Sequence, residues 1–204
     1  MEFSRATVIM RGYTIDHIRT VGTIMTTSQK IKNIEVTLNT ANAIEIIKEL
    51  SLEFDSKLNI GAGTVLNFEE LEAAVEVGAT FVLSPNTMTK EMIEYCNKQG
   101  VLAIPGAFTP SEIATMFEYG AAIVKVFPAN ELSTNYAKKV CEPLGDLRLM
   151  AVGGVNSGSV STCFSSGYTD VGSAGGIFFR EDILKYDIEA LTRSMKKFEE
   201  GIPE

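Results

Sequence analysis

Short apolar segments of strand character alternate with helical patterns eight times in this chain, and nothing interrupts the series. Strands are expected near 6–10, 33–38, 59–65, 81–85, 102–106, 123–128, 147–155 and 170–175, with starts 21 to 27 residues apart. That interval holds a strand, a tight loop, a modest helix and the return. Helices are expected at Ile15–Thr26, Ala41–Leu52, Phe68–Val77, Met88–Gln99, Pro110–Tyr119, Asn135–Cys141, Ser159–Ser166 and Asp187–Phe198, on apolar repeats such as Ile188, Leu191 and Met195. Eight βα units in succession predict an α/β fold, a parallel (β/α)8 TIM barrel filling residues 1–204 as one compact domain. An open doubly wound sheet is also built of βα units. Here, however, the turn after the first strand reads Met10-Arg11-Gly12-Tyr13, with no glycine-rich dinucleotide fingerprint. At 204 residues the barrel must be lean, since eightfold barrels typically take about 250.

The junctions carry start and stop chemistry. Thr109-Pro110-Ser111-Glu112 combines a capping threonine, a first-turn proline and a glutamate three residues past the cap. Asn67 and Glu70 repeat that arrangement, and Gly78, Gly100, Gly120 and Gly167 stand where a left-handed residue ends a helix.

Composition removes several function classes. Twenty-six acidic residues against 18 basic ones give a net charge of −8 and no basic stripe, which argues against nucleic acid as a partner. No apolar run reaches the roughly 20 residues needed to cross a bilayer, and no leader is apparent, so no membrane partner and a cytoplasmic location are expected. Three cysteines without metal-like spacing fit a reducing compartment. His17, the single histidine, falls on the first helix, so a multi-histidine metal site is excluded and a catalytic role for it is not expected.

Strands of a parallel barrel are covered on both faces and should be almost wholly apolar. Two of them carry charge. Alternation sends Ile34, Val36 and Leu38 toward the helices, and Asn33, Glu35 and Thr37 toward the barrel axis. In strand six it turns Val124 and Val126 outward, and Ile123, Lys125 and Phe127 inward. Strands two and six of eight are diametrically opposed, so Glu35 and Lys125 should face each other. Desolvation disfavours an ammonium and makes free amine available near neutral pH, as attack on a ketone requires. The pair is thus either a buried ion pair, a poor source of stability, or an active site. Strand three (Ile60-Gly61-Ala62-Gly63-Thr64-Val65) has two glycines, which mark close approach of a ligand or of another backbone. Glycine-rich loops at Gly153-Gly154 and Gly172-Ser173-Ala174-Gly175-Gly176 follow strands seven and eight, where such barrels commonly bind phosphate.

Six motifs in order resemble the class I 2-keto-3-deoxy-6-phosphogluconate (KDPG) and 4-hydroxy-2-oxoglutarate (KHG) aldolases. They are Ile34-Glu35-Val36-Thr37-Leu38, Gly61-Ala62-Gly63-Thr64-Val65-Leu66, Ser84-Pro85-Asn86, Ile104–Glu112, Val124-Lys125-Val126-Phe127-Pro128-Ala129 and Gly153-Gly154-Val155-Asn156. The resemblance runs from about Thr7 to Phe179 and implies a Schiff-base lysine at Lys125 and an acid/base glutamate at Glu35. It further implies substrate contacts at Arg11, Thr37, Thr64, Pro85, Pro105 and Phe127, and phosphate contacts at Gly153, Gly154 and Ser173. Implied with these are cleavage of a phosphorylated keto acid to pyruvate and an aldehyde, no metal or organic cofactor, and a homotrimer. Ala151-Val152 replaces a Pro-Thr usual in that family, and Asn39 an arginine found in one branch. Two other readings stay open: another phosphate-binding barrel enzyme such as an epimerase, and a barrel that binds a phospho-sugar acid without turning it over.

Overall fold

A computed structural model describes residues 2–204. Its strands are β1 (Ala6–Met10), β2 (Ile31–Thr37), β3 (Asn59–Gly63), β4 (Phe81–Leu83), β5 (Leu102–Ile104), β6 (Gly106–Ala107), β7 (Val124–Val126), β8 (Leu149–Val152) and β9 (Asp170–Ser173). All pairings are parallel, in the order β5-β4-β3-β2-β1-β9-β8-β7-β6. The two ends of that order, β5 and β6, are consecutive in the chain and separated only by Pro105. They are halves of one stave, the first paired with β4 and the second with β7. Proline has no N–H to offer a ladder, and its carbonyl accepts the Lys125 N–H at 2.9 Å while the Gly106 N–H turns to the Asn86 carbonyl at 2.9 Å. Taking the two halves together leaves eight staves, and the fold is the (β/α)8 TIM barrel that the sequence predicts.

The helices are α1 (Ile15–Met25), α2 (Ala43–Glu53), α3 (Phe68–Glu76), α4 (Lys90–Gln99), α5 (Pro110–Glu118), α6 (Tyr136–Leu144), α7 (Val160–Ser165), α8 (Arg180–Leu184) and α9 (Ile188–Glu199). The predicted caps form. Thr109 and Glu112 make a reciprocal capping box, and Asn67 accepts the Glu70 N–H at 2.9 Å. Gly78, Gly100, Gly120 and Gly167 all have positive φ. The sequence reading missed α8, whose five residues are too few to show a helical period. It also ran several strands too far at their C-terminal ends. Thr64 leaves β3 at φ 59° and Gly153 leaves β8 at φ 117°, so the apolar residues beyond them belong to loops. No helix among the described residues is long and apolar enough to cross a membrane.

Apolar burial falls into two shells. The larger lies between strands and helices and holds Ile34, Val36, Val124 and Val126, with Leu38 packed against it. The smaller fills the barrel with Ile9, Phe81, Leu83, Ile104, Ile123, Met150 and Val152, and Phe3 meets Phe81 edge-on at 5.1 Å. Alternation along β2 and β7 is therefore as predicted. Below this layer sits a polar closure centred on fully buried Asn33. Its amide donates to the Ser4 carbonyl at 2.7 Å, and its Oδ1 accepts from the Ser4 N–H at 3.2 Å and from Asn59 Nδ2 at 2.9 Å.

Removing Asn33 strands the buried Asn59 amide and the half-buried Ser4 backbone, at a cost of about 1–3 kcal/mol for a fully buried group. Asn33→Ala should lose about 2–4 kcal/mol in urea unfolding while the distant mouth of the barrel keeps its chemistry. A loss below about 0.5 kcal/mol would show that water replaces the network without penalty.

Candidate active site

The C-terminal ends of the staves surround an open cavity of about 410 Å³. Lys125, central in β7, and Glu35, in β2, come to it from opposite walls, four staves apart in either direction round the ring. Both are buried, at 5% and 1% exposure. No salt bridge or hydrogen bond joins them among the described residues, and Glu35 Oε2 is buried with no partner at all. A pair kept for stability would be closed on itself, because an unpaired buried charge is expensive. This one is held open.

Electrostatics follow from that geometry. Burial pushes the Lys125 ammonium below the ordinary lysine range; Glu35 partly opposes the shift and Arg11 adds to it. Burial raises the Glu35 carboxyl, and Lys125 and Arg11 pull it back. The Lys125 Nζ also sits 4.9 Å from the centroid of the Phe127 ring. Arg11, just past β1, is exposed at the rim and forms no salt bridge among the described residues. It leaves a guanidinium fork free for a carboxylate or phosphate.

Of the residues predicted from sequence, Arg11, Glu35, Thr64, Pro85, Lys125, Phe127, Gly153, Gly154 and Ser173 all line this cavity. Thr37 and Pro105 do not. The Thr37 hydroxyl is fully buried and pairs with the Thr40 hydroxyl at 3.1 Å, and Thr40 Oγ1 accepts the Gly12 N–H at 2.9 Å. Thr37 therefore fastens the loop that carries Arg11, one step back from the cavity. Pro105 is spent on dividing the fifth stave, and Thr64 turns into the cavity from a left-handed backbone that a β-branched residue rarely adopts.

The two glycine loops are built as an anion cradle. Gly153 and Gly154 have φ of 117° and 68°, and no hydrogen bond among the described residues uses the backbone N–H of Gly153, Gly154, Ala174 or Gly175. Ser173 lines the same cavity with its hydroxyl already engaged. Its hydroxyl donates to the Val155 carbonyl at 2.7 Å and accepts the Gly176 N–H at 3.0 Å, clasping one loop to the other. Sequence reasoning missed Ile9, which as an apolar strand residue carried no signal of a site; with Val152, one of the two residues that replace the family's usual Pro-Thr, it forms an apolar wall. Among the described residues no group of His, Cys, Asp and Glu is arranged to hold a metal ion. Cys96, Cys141 and Cys163 are free and helical, and burial pushes the Cys96 thiol up to about 11.

Comparison with known proteins finds relatives over nearly the whole chain. The family model described as KDPG and KHG aldolase matches residues 5–193. The 2-dehydro-3-deoxy-6-phosphogalactonate aldolase of Escherichia coli K12 is 26% identical over 196 residues, covering 95% of this chain and 94% of the relative. The 2-dehydro-3-deoxy-phosphogluconate aldolase of Pseudoalteromonas atlantica is 35% identical over 127 residues, 62% of this chain and 58% of its own length. A solved structure titled "Native KDPGal structure" superposes with a TM-score of 0.85 at 25% identity, over 98% of this chain and 97% of the other.

Pulse acetylation read by peptide mass spectrometry tests the electrostatics. Normalised to its own plateau, Lys125 should reach half-labelling at a lower pH than the surface lysines. Glu35→Gln should lower that pH further, because the lost carboxylate is what favours the ammonium. Co-titration of Lys125 with the surface lysines would refute a depressed amine.

Proposed function

The chain belongs to the KDPG and KHG aldolase family, and we propose that it is a Schiff-base aldolase that cleaves a phosphorylated 2-keto-3-deoxy sugar acid into pyruvate and glyceraldehyde 3-phosphate. The observation that carries the reading is the buried lysine at the foot of an open cavity, facing a buried carboxylate that no described residue neutralises by contact. A depressed pKa supplies free amine, and preorganised charge faces the place where charge moves.

The steps balance on the residues present. The Lys125 amine adds to the C2 carbonyl, and loss of water leaves a protonated imine. Glu35 takes the proton of the C4 hydroxyl; the C3–C4 bond breaks, its electron pair flows into the imine, and the aldehyde departs. Glu35 returns the proton to C3 of the enamine, giving the pyruvate imine. Water then adds, pyruvate leaves and the amine is restored. Arg11 and Thr64 are suited to the substrate carboxylate, and the unbonded N–H groups of Gly153, Gly154, Ala174 and Gly175 to the phosphate. The near full-length relative named for the galactonate acid makes both C4 epimers the substrates to assay. The resemblance also proposes a homotrimer, which light scattering on the purified protein reads directly.

Borohydride with pyruvate should leave one covalent adduct on the peptide containing Lys125. Lys125→Ala should abolish both the adduct and pyruvate release. Glu35→Gln should keep some adduct while slowing turnover by about 10²-fold or more. An unmodified protein that still releases pyruvate, or full turnover by Lys125→Ala, would overturn the assignment.

A further inference from the structure

Two glycines of β3 sit in the wall below and beside Glu35, and their missing side chains serve different neighbours. Gly61 is the register partner of Glu35 on one side and of Phe81 on the other. A Cβ there would lie 2.5 Å from the Phe81 ring and from its carbonyl oxygen. The space at Gly61 is thus taken by the fully buried Phe81, a member of the apolar layer inside the barrel. Gly63 is the partner of Thr37, two residues beyond Glu35. A Cβ on Gly63 would nevertheless overlap Glu35 Oε1 and lie 2.5 Å from Glu35 Cγ. The glutamate side chain leans along its strand toward the mouth, as strand side chains do, and its carboxyl rests against the bare backbone of β3.

We infer that Gly63 is a positioning residue for the proposed reaction: its absent side chain is the compartment that holds the Glu35 carboxyl against the barrel wall, apart from Lys125. The inference rests on the reading of Glu35 as the proton shuttle. Three observations meet in it: the overlap at Gly63, the partnerless Glu35 Oε2, and the lack of any salt bridge between Glu35 and Lys125. With a methyl group at 63 the carboxyl has to swing into the cavity, toward water and the two cations. The change is one of place, not of residue type, so it separates position from chemistry.

The test compares wild type, Gly63→Ala, Glu35→Ala and the double variant. Gly63→Ala should lower kcat about tenfold or more, change KM no more than about threefold, and still give the pyruvate–borohydride adduct. The acid limb of its pH–rate profile should move to lower pH, because water and nearby cations favour the carboxylate. A thermal-melt cycle supplies the structural readout: Gly63→Ala should lower the midpoint alone and have little effect once Glu35→Ala has vacated the space. If Gly63→Ala fails to fold, the double variant should fold. Wild-type kcat and pH profile in Gly63→Ala would overturn the inference, as would an equal loss of stability with or without the Glu35 side chain. Failure of the wild type to release pyruvate or form the adduct would instead sink the aldolase reading, and the melt cycle would still decide whether Gly63 houses the carboxyl.

Discussion

A lysine and a glutamate lie inside a parallel barrel and do not touch, and this separation organises the molecule. Each is desolvated, so each has its charged form disfavoured. Contact would relieve both at once, and the architecture withholds it. Three staves stand between them either way round the ring. Gly63 gives the carboxyl a place on its own wall, and the Phe127 ring lies beside the amine. The cost of two uncompensated groups must come from elsewhere, and the apolar shell between strands and helices is the visible source.

Much of this could be read from the chain because parallel strands leave so little room for polar residues. Once eight βα units were recognised, a charge inside a strand became conspicuous, and period-two alternation turned Lys125 and Glu35 inward. The glycine loops after the last two staves stood out for the same reason: they fall where the fold offers free N–H groups.

What stayed hidden depends on contacts between strands or on backbone angles. Thr37 points inward as alternation requires, yet its hydroxyl is engaged by Thr40, three residues on, which no periodicity reveals. Ser173 stands in the cavity wall, and its hydroxyl also clasps one loop to the other, which the sequence does not show. The two glycines of β3 suggested a ligand or a neighbouring backbone; Gly61 does meet the Phe81 carbonyl, but the side chains of Phe81 and Glu35 fill the space as well, because lean along a strand is absent from a one-dimensional pattern. Pro105 lies amid apolar residues and gives no warning that the fifth stave is two half-strands with different partners.

The packed lower end of the barrel has a consequence for traffic. Phe3, Phe81 and the buried amide of Asn33 pack across that end, and the cavity that holds Lys125 and Glu35 opens at the other. In the proposed cleavage the outer fragment would leave by that mouth while the inner one is still bonded to Lys125, and solvent would reach the inner one from the same side.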